Sequence, residues 1–487
     1  MTSVSRIKIS SVLLMVAITC SSSLGTFGQT KKPATRTPKK PAATAKKTSR
    51  QTTGKSSTKQ TPTTKASPKK VVSAKDKKRS AAEKRRAALE EKRRRQKAAR
   101  EAEARRRAFE KALKDQTTNN ILNDDSTGED LEVRRAAAEA LKGHAGTVVV
   151  MEPKTGRILS IVNQDWAVRR GFKPCSTIKL VTAIAGINER QIAPDGSIIE
   201  KPFPMNLDDA LAYSNNTYFQ AVGAGLGNQK MVSYARAMGL GQPTGINIPG
   251  ETAGRVPATN NHPRIYSHGD DFEVTPLQLA VMVSAISNGG KRVVPRVFKN
   301  DDVTGGARPQ SVGGLNFPTS SFRGVIPGMI GAAQYGTARR GMDPRFEVAG
   351  KTGSCIGDGS WVGLFASVAP IEDPLFSVVV ITRGGSERGR SAAAIASKIY
   401  NALRSRIPAK TPEQLWAAFP EFKPKNTVAP STAGKLDSSA DDDSDDGITP
   451  IKRPSVRTTV QASPIIAPTG SPSGTGPATR PRIVGIQ

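Results

Sequence analysis

Three short polar motifs follow one another in this chain: Ser176-Thr177-Ile178-Lys179, then Ser214-Asn215-Asn216, then Lys351-Thr352-Gly353-Ser354. Together they supply a hydroxyl nucleophile, an amine base, a proton relay and a cationic seat for a carboxylate. That is equipment for acyl transfer through a serine ester. A serine hydroxyl attacks a carbonyl only when a base takes its proton. Lys179 stands three positions after Ser176, so a helix would bring both side chains to one face. An amine is protonated near neutral pH, and burial or a second cation nearby shifts it toward the free base.

Each motif alone is weak. Ser5/Lys8, Ser56/Lys59 and Ser67/Lys70 repeat the Ser-x-x-Lys spacing in the leader and in a basic arm. Lys154-Thr155-Gly156 is a second Lys-Thr-Gly, placed between two strand-like runs where turn chemistry explains it. The other three stand apart through their order and settings. Ser176 opens an apolar helix after Lys173-Pro174, Ser214-Asn216 follows a helix, and Lys351 closes a strand.

The elements that must position them lie in residues 143–405. Two β-rich runs, 147–151 and 158–162, are joined by Glu152 to Arg157 as a hairpin. An apolar helix follows Ser176, and helical stretches cover 208–222, 230–238, 276–287 and 322–333. Strands are expected at 346–352, 361–368 and 375–382, with a last helix at 391–403. Strands at both ends with helices between predict an α+β body, its antiparallel sheet joining the two ends of the domain around a helical subdomain.

Charge sets the rest of the chain apart. The stretch from Lys31 to Gln116 holds 31 Lys and Arg against 8 acids, so most of the net +32 sits there. Residues 1–28 read as a signal peptide or an anchor: Arg6 and Lys8, then an apolar run to Ile18, then small residues. Residues 30–74 are a basic low-complexity linker without a single acid, and 75–118 a charged, solvated helix with no heptad seam. From 408 to 487 a disordered tail is expected, with an acidic run at 437–446. The whole pattern indicates export to the cell envelope or periplasm, with an N-terminal membrane or lipid anchor (through Cys20) left open. A basic arm could meet nucleic acid, but export favours anionic wall polymer or lipid headgroups, and a spacer that binds nothing explains the charge equally well. His144, His262 and His268 do not cluster at ligand spacing, so neither metal nor cofactor is expected; His268, just before Val274-Pro276, could line a cleft but reads rather as a surface-loop residue.

The motifs and their settings resemble the transpeptidase domain of penicillin-binding proteins, in the wider group of serine β-lactamases and D,D-peptidases. The resemblance covers roughly 143–403. It takes in Val148 to Gly156, Lys173 to Lys179, Val274-Thr275-Pro276-Leu277-Gln278, Ser287-Asn288-Gly289-Gly290, Gly350 to Ser354 and Trp361 to Ala366. It implies a β-lactamase/transpeptidase-like fold and the following roles. Ser176 would attack, Lys179 would take its proton, and Lys351 would be the second cation. Ser214 would relay the proton to the leaving amine while Asn216 holds the substrate amide. Lys351, Thr352 and Gly353 would seat the terminal carboxylate, and the N–H groups of Ser176 and Ser354 would hold the oxyanion. If that helix start and strand end are neighbours, Cys175 and Cys355 fall within disulfide range, and export would let the bond form. Some class A carbapenem-hydrolysing β-lactamases carry a similar bridge.

The function so implied is a D,D-transpeptidase acting on D-Ala-D-Ala stem peptides of peptidoglycan, with β-lactams as covalent inhibitors. A D,D-carboxypeptidase or a β-lactamase is the nearest alternative. Ser-Asn-Asn in place of Ser-Asp-Asn, and no Glu-x-x-Leu-Asn downstream, point away from a β-lactamase. A penicillin-binding sensor or wall-binding module is the non-enzymatic alternative. The absence of a large folded N-terminal pedestal, a short 176–214 segment and Ser354 where Thr is commoner depart from the family pattern.

Overall fold

A computed structural model describes residues 74–298, 311–314 and 317–433 of the 487. The expected signal or anchor, nearly all of the basic linker and the acidic run lie outside the described residues. Residues up to Ser80 form a separate unit, of which only the first turns of one helix are described. The following concerns residues 81–433.

A five-stranded antiparallel sheet forms the middle layer, in the order β2-β1-β7-β6-β5. Its strands are β1 (Ala145–Met151), β2 (Ile158–Val162), β5 (Ala349–Gly357), β6 (Ser360–Ala369) and β7 (Phe376–Gly384); β3 (Lys291–Val293) and β4 (Ser311–Gly314) pair separately. The central strands are buried at nearly every position because both of their faces are covered, and side chains alternate between the faces. Val148, Val150, Val378 and Val380 pack on one side with Val133, Ala137, Ile395 and Ile399, from the helices Leu131–Leu141 and Gly389–Ala402. Val149, Met151, Val379 and Ile381 pack on the other with Val181, Ile184, Leu279 and Val283, from the helices Lys179–Asn188 and Pro276–Ser287. The second of these helices is buried all round. Thr275 and Gln278 cap it reciprocally, and Pro276 occupies its first turn.

The sequence-derived boundaries need correction in several places. The expected helix 208–222 is two, Leu207–Ala212 and Asn216–Leu226, broken at Ser214, whose φ of +60° no α-helix accommodates. The expected 322–333 is likewise Thr319–Arg323 and Ile326–Gln334. The strand expected to stop at Thr352 runs on to Gly357, because β6 pairs with it along its whole length. The body begins before 143: Val133, Ala137 and Leu141 of the preceding helix lie in the core. The charged helix spans Ala74–Leu122, and its last turns are not solvated. Leu113 is buried, Glu110 accepts from the Gly385 N–H at 3.1 Å and Asn120 donates to Asn163 at 3.0 Å. Upstream of these turns, pairs such as Glu91–Arg95 and Glu103–Arg107 remain exposed on the helix surface. The tail does not begin at 408 either. A capped helix, Pro412–Ala418, and the segment 420–433 fold back onto the body, burying Leu415, Phe422 and Val428.

Candidate active site

Ser176 lies in a 3-10 turn, Cys175–Ile178, and the α-helix proper begins at Lys179. This corrects the expectation that Ser176 opens an α-helix, and it tightens the geometry: in a 3-10 turn residues i and i+3 eclipse. Lys179 Nζ is 2.8 Å from Ser176 Oγ. The turn is fixed from below by Thr177, whose hydroxyl donates to the Pro174 carbonyl at 2.6 Å. Cys175 enters it at φ +48°, a left-handed conformation that costs a non-glycine residue about 1–2 kcal/mol. Ser176 itself is only half-buried, although both of its neighbours are fully buried.

Lys179 is completely buried and has four oxygens in reach. Besides Ser176 Oγ they are the Ser214 carbonyl at 2.9 Å, Ser214 Oγ at 3.1 Å and Asn216 Oδ1 at 2.6 Å. Two of the four, the carbonyl and the amide oxygen, can only accept. They therefore take two N–H bonds, and the third valence of the nitrogen faces hydroxyls. As an ammonium it donates there; as a free amine it accepts a hydroxyl proton. Ser214 reaches this position because the helix Leu207–Ala212 ends just before it and Asn215, which caps the next helix through the Tyr218 N–H, turns the chain back.

β5 is an edge strand, so one side of its backbone is not paired within the sheet. It passes against the 3-10 turn. A Cβ on Gly353 would stand 3.2 Å from Cys175 Cβ and from the Pro174 carbonyl, so glycine is what lets strand and turn approach. Two residues on, Cys355 is bonded to Cys175, with a Cα–Cα distance of 5.6 Å. Strand alternation places Lys351 on the same face as Gly353 and Cys355, the face turned toward Ser176, and Lys351 is fully buried with Nζ 3.0 Å from the Thr352 carbonyl. The alternate residues make bonds of their own: Thr352 Oγ1 meets Thr337 Oγ1 at 2.6 Å, and Ser354 Oγ accepts from the Gly389 N–H at 2.9 Å. Ser176, Ser214 and Asn216 thus meet at the Lys179 amine, and the strand carrying Lys351–Ser354 packs against the same 3-10 turn through Gly353 and Cys355.

His268 is not a loop residue on the surface. It is buried, with Nδ1 2.7 Å from Ser267 Oγ, in a segment whose Gly269 (φ +65°) sits directly on Pro174. Burial, together with the charges of Lys179, Arg264 and Lys173, holds its pKa down to about 2, so the ring is neutral throughout the physiological range. Next to it, Asp270 pairs with Lys173 at 2.6 Å and with Arg264 at 3.0 Å. Burial alone would raise its pKa, but these two cations keep it lowered. A cleft of about 570 Å³ opens here, between Lys173, Arg255, Arg264 and the β5–β6 turn at Ile356 to Asp358. Sequence reasoning missed Thr337, and for His268 it weighed a place in the cleft but preferred a surface loop. Neither carries a local signal, since both arrive through long-range packing.

A serine beside a buried lysine, an Asn-capped serine loop and a lysine-bearing edge strand meet on a three-layer α+β fold. Residues 146–401, more than half the chain, match the family model of the penicillin-binding protein transpeptidase domain, and the chain belongs to that family. Among its relatives, the peptidoglycan D,D-transpeptidase MrdA of Acinetobacter baumannii is 27% identical over 56% of this chain and 52% of that protein. The penicillin-binding protein PbpB of Mycolicibacterium smegmatis is 26% identical over 53% of this chain and 50% of that one. The chain thus spans about half the length of the curated relatives it matches. The transpeptidase domain of Burkholderia pseudomallei penicillin-binding protein 3 superposes with a TM-score of 0.51 at 22% identity, over 59% of this chain and 98% of that domain, a likeness of fold.

Proposed function

We propose that the chain is a penicillin-binding D,D-transpeptidase of the cell envelope, which forms an acyl-serine intermediate on peptidoglycan stem peptides ending in D-Ala-D-Ala. The observation that carries this reading is the Lys179 amine, saturated by two carbonyl-type acceptors and 2.8 Å from Ser176 Oγ. Lys179 takes the Ser176 proton as Oγ attacks the carbonyl of the penultimate D-Ala. The oxyanion lies between the backbone N–H groups of Ser176 and Ser354, where each donor contributes about 3–4 kcal/mol. As the C–N bond breaks, Ser214 Oγ passes a proton to the leaving D-Ala amine and regains one from Lys179. Lys351 and Thr352 seat the terminal carboxylate, and Asn216 and the free edge of β5 hold the extended peptide. An amine from a neighbouring stem peptide then attacks the ester and releases Ser176. Penicillin enters by the same step, but its leaving amine stays tethered. The basic arm, with most of the chain's net charge, suits an anionic wall polymer or lipid headgroups.

The test is incubation of the full chain with a fluorescent penicillin beside Ser176→Ala, followed over hours. Stable labelling of the wild type and none of the variant is expected. Equal labelling of both, or none of either, would remove the proposal; rapid loss of label would make the protein a β-lactamase.

A further inference from the structure

One fully buried carboxylate outside the motifs ties three parts of the molecule together. Asp209 lies in the helix Leu207–Ala212, one turn before Ser214. Its Oδ2 accepts from the Thr427 N–H at 2.7 Å, the Thr427 hydroxyl at 2.9 Å and the Val428 N–H at 2.9 Å. Its Oδ1 accepts from the Tyr335 hydroxyl at 3.1 Å. Thr427 and Val428 belong to the strap 420–433, which lies beyond the family match at 146–401. Tyr335 stands two residues before Thr337, which donates its N–H to the Ala212 carbonyl at 3.0 Å and meets the Thr352 hydroxyl at 2.6 Å.

We propose that Asp209 is a positioning residue for Ser214 and Asn216, and that the C-terminal strap is the part of the chain that holds it in place. This rests on the acyl-serine reading above. Ser214 needs such support. Its φ of +60° is a conformation that persists only where the surroundings over-determine it, and the helix Leu207–Ala212 is too short to fix its own end. The strap supplies the missing constraint at several points. Tyr213 donates its hydroxyl to the Val428 carbonyl at 3.2 Å, and Asn206 donates to the Lys425 carbonyl at 2.7 Å. The strap's own seat is Phe422, buried and held under the Arg323 guanidinium. Loosening Asp209 therefore shifts the end of the helix that presents Ser214 and, through Tyr335 and Thr337, the strand that presents Thr352. A misplacement of 1 Å at reacting groups costs up to about 100-fold in rate.

The experiment measures penicillin acylation of the full chain, splitting the acylation rate constant from the dissociation constant of the preceding complex and counting the fraction labelled at saturation. Asp209→Ala is expected to lower the rate constant by about 10–100-fold per labelled molecule, with the dissociation constant within about 3-fold of wild type. Asp209→Asn should rescue it to within about 3-fold, because the amide oxygen can face the strap donors while its N–H₂ faces the Tyr335 hydroxyl, which can accept. Thr427→Pro, which removes an N–H donor far along the chain from any motif, should slow acylation in the same direction by about 3–10-fold, and it carries the test if the alanine variant does not fold. A purely structural role would reduce the fraction labelled and leave the rate constant alone; that result, in the alanine or the proline variant, overturns the proposal. Failure of the wild type to label at Ser176 would instead overturn the acyl-serine reading itself.

Discussion

Removal of the Cys175–Cys355 bond should cost both stability and rate. The bond joins residues 180 apart, across nearly the whole helical part of the body. The chain-entropy relation gives about 5 kcal/mol for a loop of that length, and typical values are about 2–4 kcal/mol. With an unfolding entropy of about 2.1 cal/mol/K per residue, the roughly 350 residues from 81 to 433 give about 0.7 kcal/mol/K, so a loss of 2–5 kcal/mol lowers Tm by about 3–7 °C. The rate effect has a separate cause. The bond fastens the 3-10 turn that carries Ser176 to the strand that carries Ser354, so without it the two proposed oxyanion donors can drift apart. A fall of about 3–10-fold in the acylation rate is expected. The assay compares the wild type with the Cys175→Ala/Cys355→Ala double variant by thermal unfolding and by fluorescent-penicillin kinetics, with non-reducing peptide mapping of the wild type. Two free thiols in the purified protein, or a double variant with unchanged Tm and rate, would refute the reasoning.

Asn216→Ala removes the acceptor 2.6 Å from Lys179 Nζ; it should slow acylation by about 10–100-fold and cost about 1–3 kcal/mol, read by label kinetics and denaturant unfolding. Gly353→Val would bring a Cβ to 3.2 Å from both Cys175 Cβ and the Pro174 carbonyl and add two methyl groups in that gap, so it should strongly reduce labelling while the far-ultraviolet circular dichroism stays native. Burial raises the Asp208 pKa from 3.8 to about 6, although the Lys425 N–H opposes it. The folded state therefore binds this proton more tightly than the unfolded one; the contribution is complete below pH 3.8 and is lost as pH rises through about 6. Asp208→Asn lacks that loss, so its stability relative to wild type should improve by about 3 kcal/mol between pH 3.8 and pH 7.5; a difference that does not change with pH would contradict the assignment.

Much of the frame is visible in residue order. The apolar runs that became β1, β2, β6 and β7 stand out because strands covered on both faces need no polar alternation, and the helix Pro276–Ser287 announces itself through Thr275, Pro276 and Gln278. The three site motifs are visible too, once their order is considered. What stayed hidden has physical reasons. Leu131–Leu141 buries only Val133, Ala137, Ala140 and Leu141, which leave a faint apolar stripe in a charged helix. The 412–433 segment looks like tail because four prolines interrupt it, yet Leu415, Trp416, Phe419 and Phe422 recur at helical spacing. At Ser214 only part was legible: Asn215 and Asn216 are cap and turn formers that mark a helix end, but the left-handed φ of the serine is imposed by its surroundings. His268 and Asp209 are polar residues whose burial depends on distant segments, the turn at Pro174 for the first and Tyr335 and Thr427 for the second, and composition carries no information over such distances.

The pairing of Val149 with Val379 at the centre of the sheet has a consequence for how such a chain is made. A polypeptide delivered from its N-terminus presents the β1–β2 hairpin, apolar on both faces, long before its partner strand emerges. Closing a loop of some 230 residues costs about 5 kcal/mol in chain entropy, so nucleation has to wait for nearly the full body. Over that interval the thiol of Cys175 is also without Cys355, and the sequence offers it a single wrong mate, Cys20. The order in which its segments emerge thus leaves one apolar hairpin and one thiol waiting for partners that lie near the far end of the body.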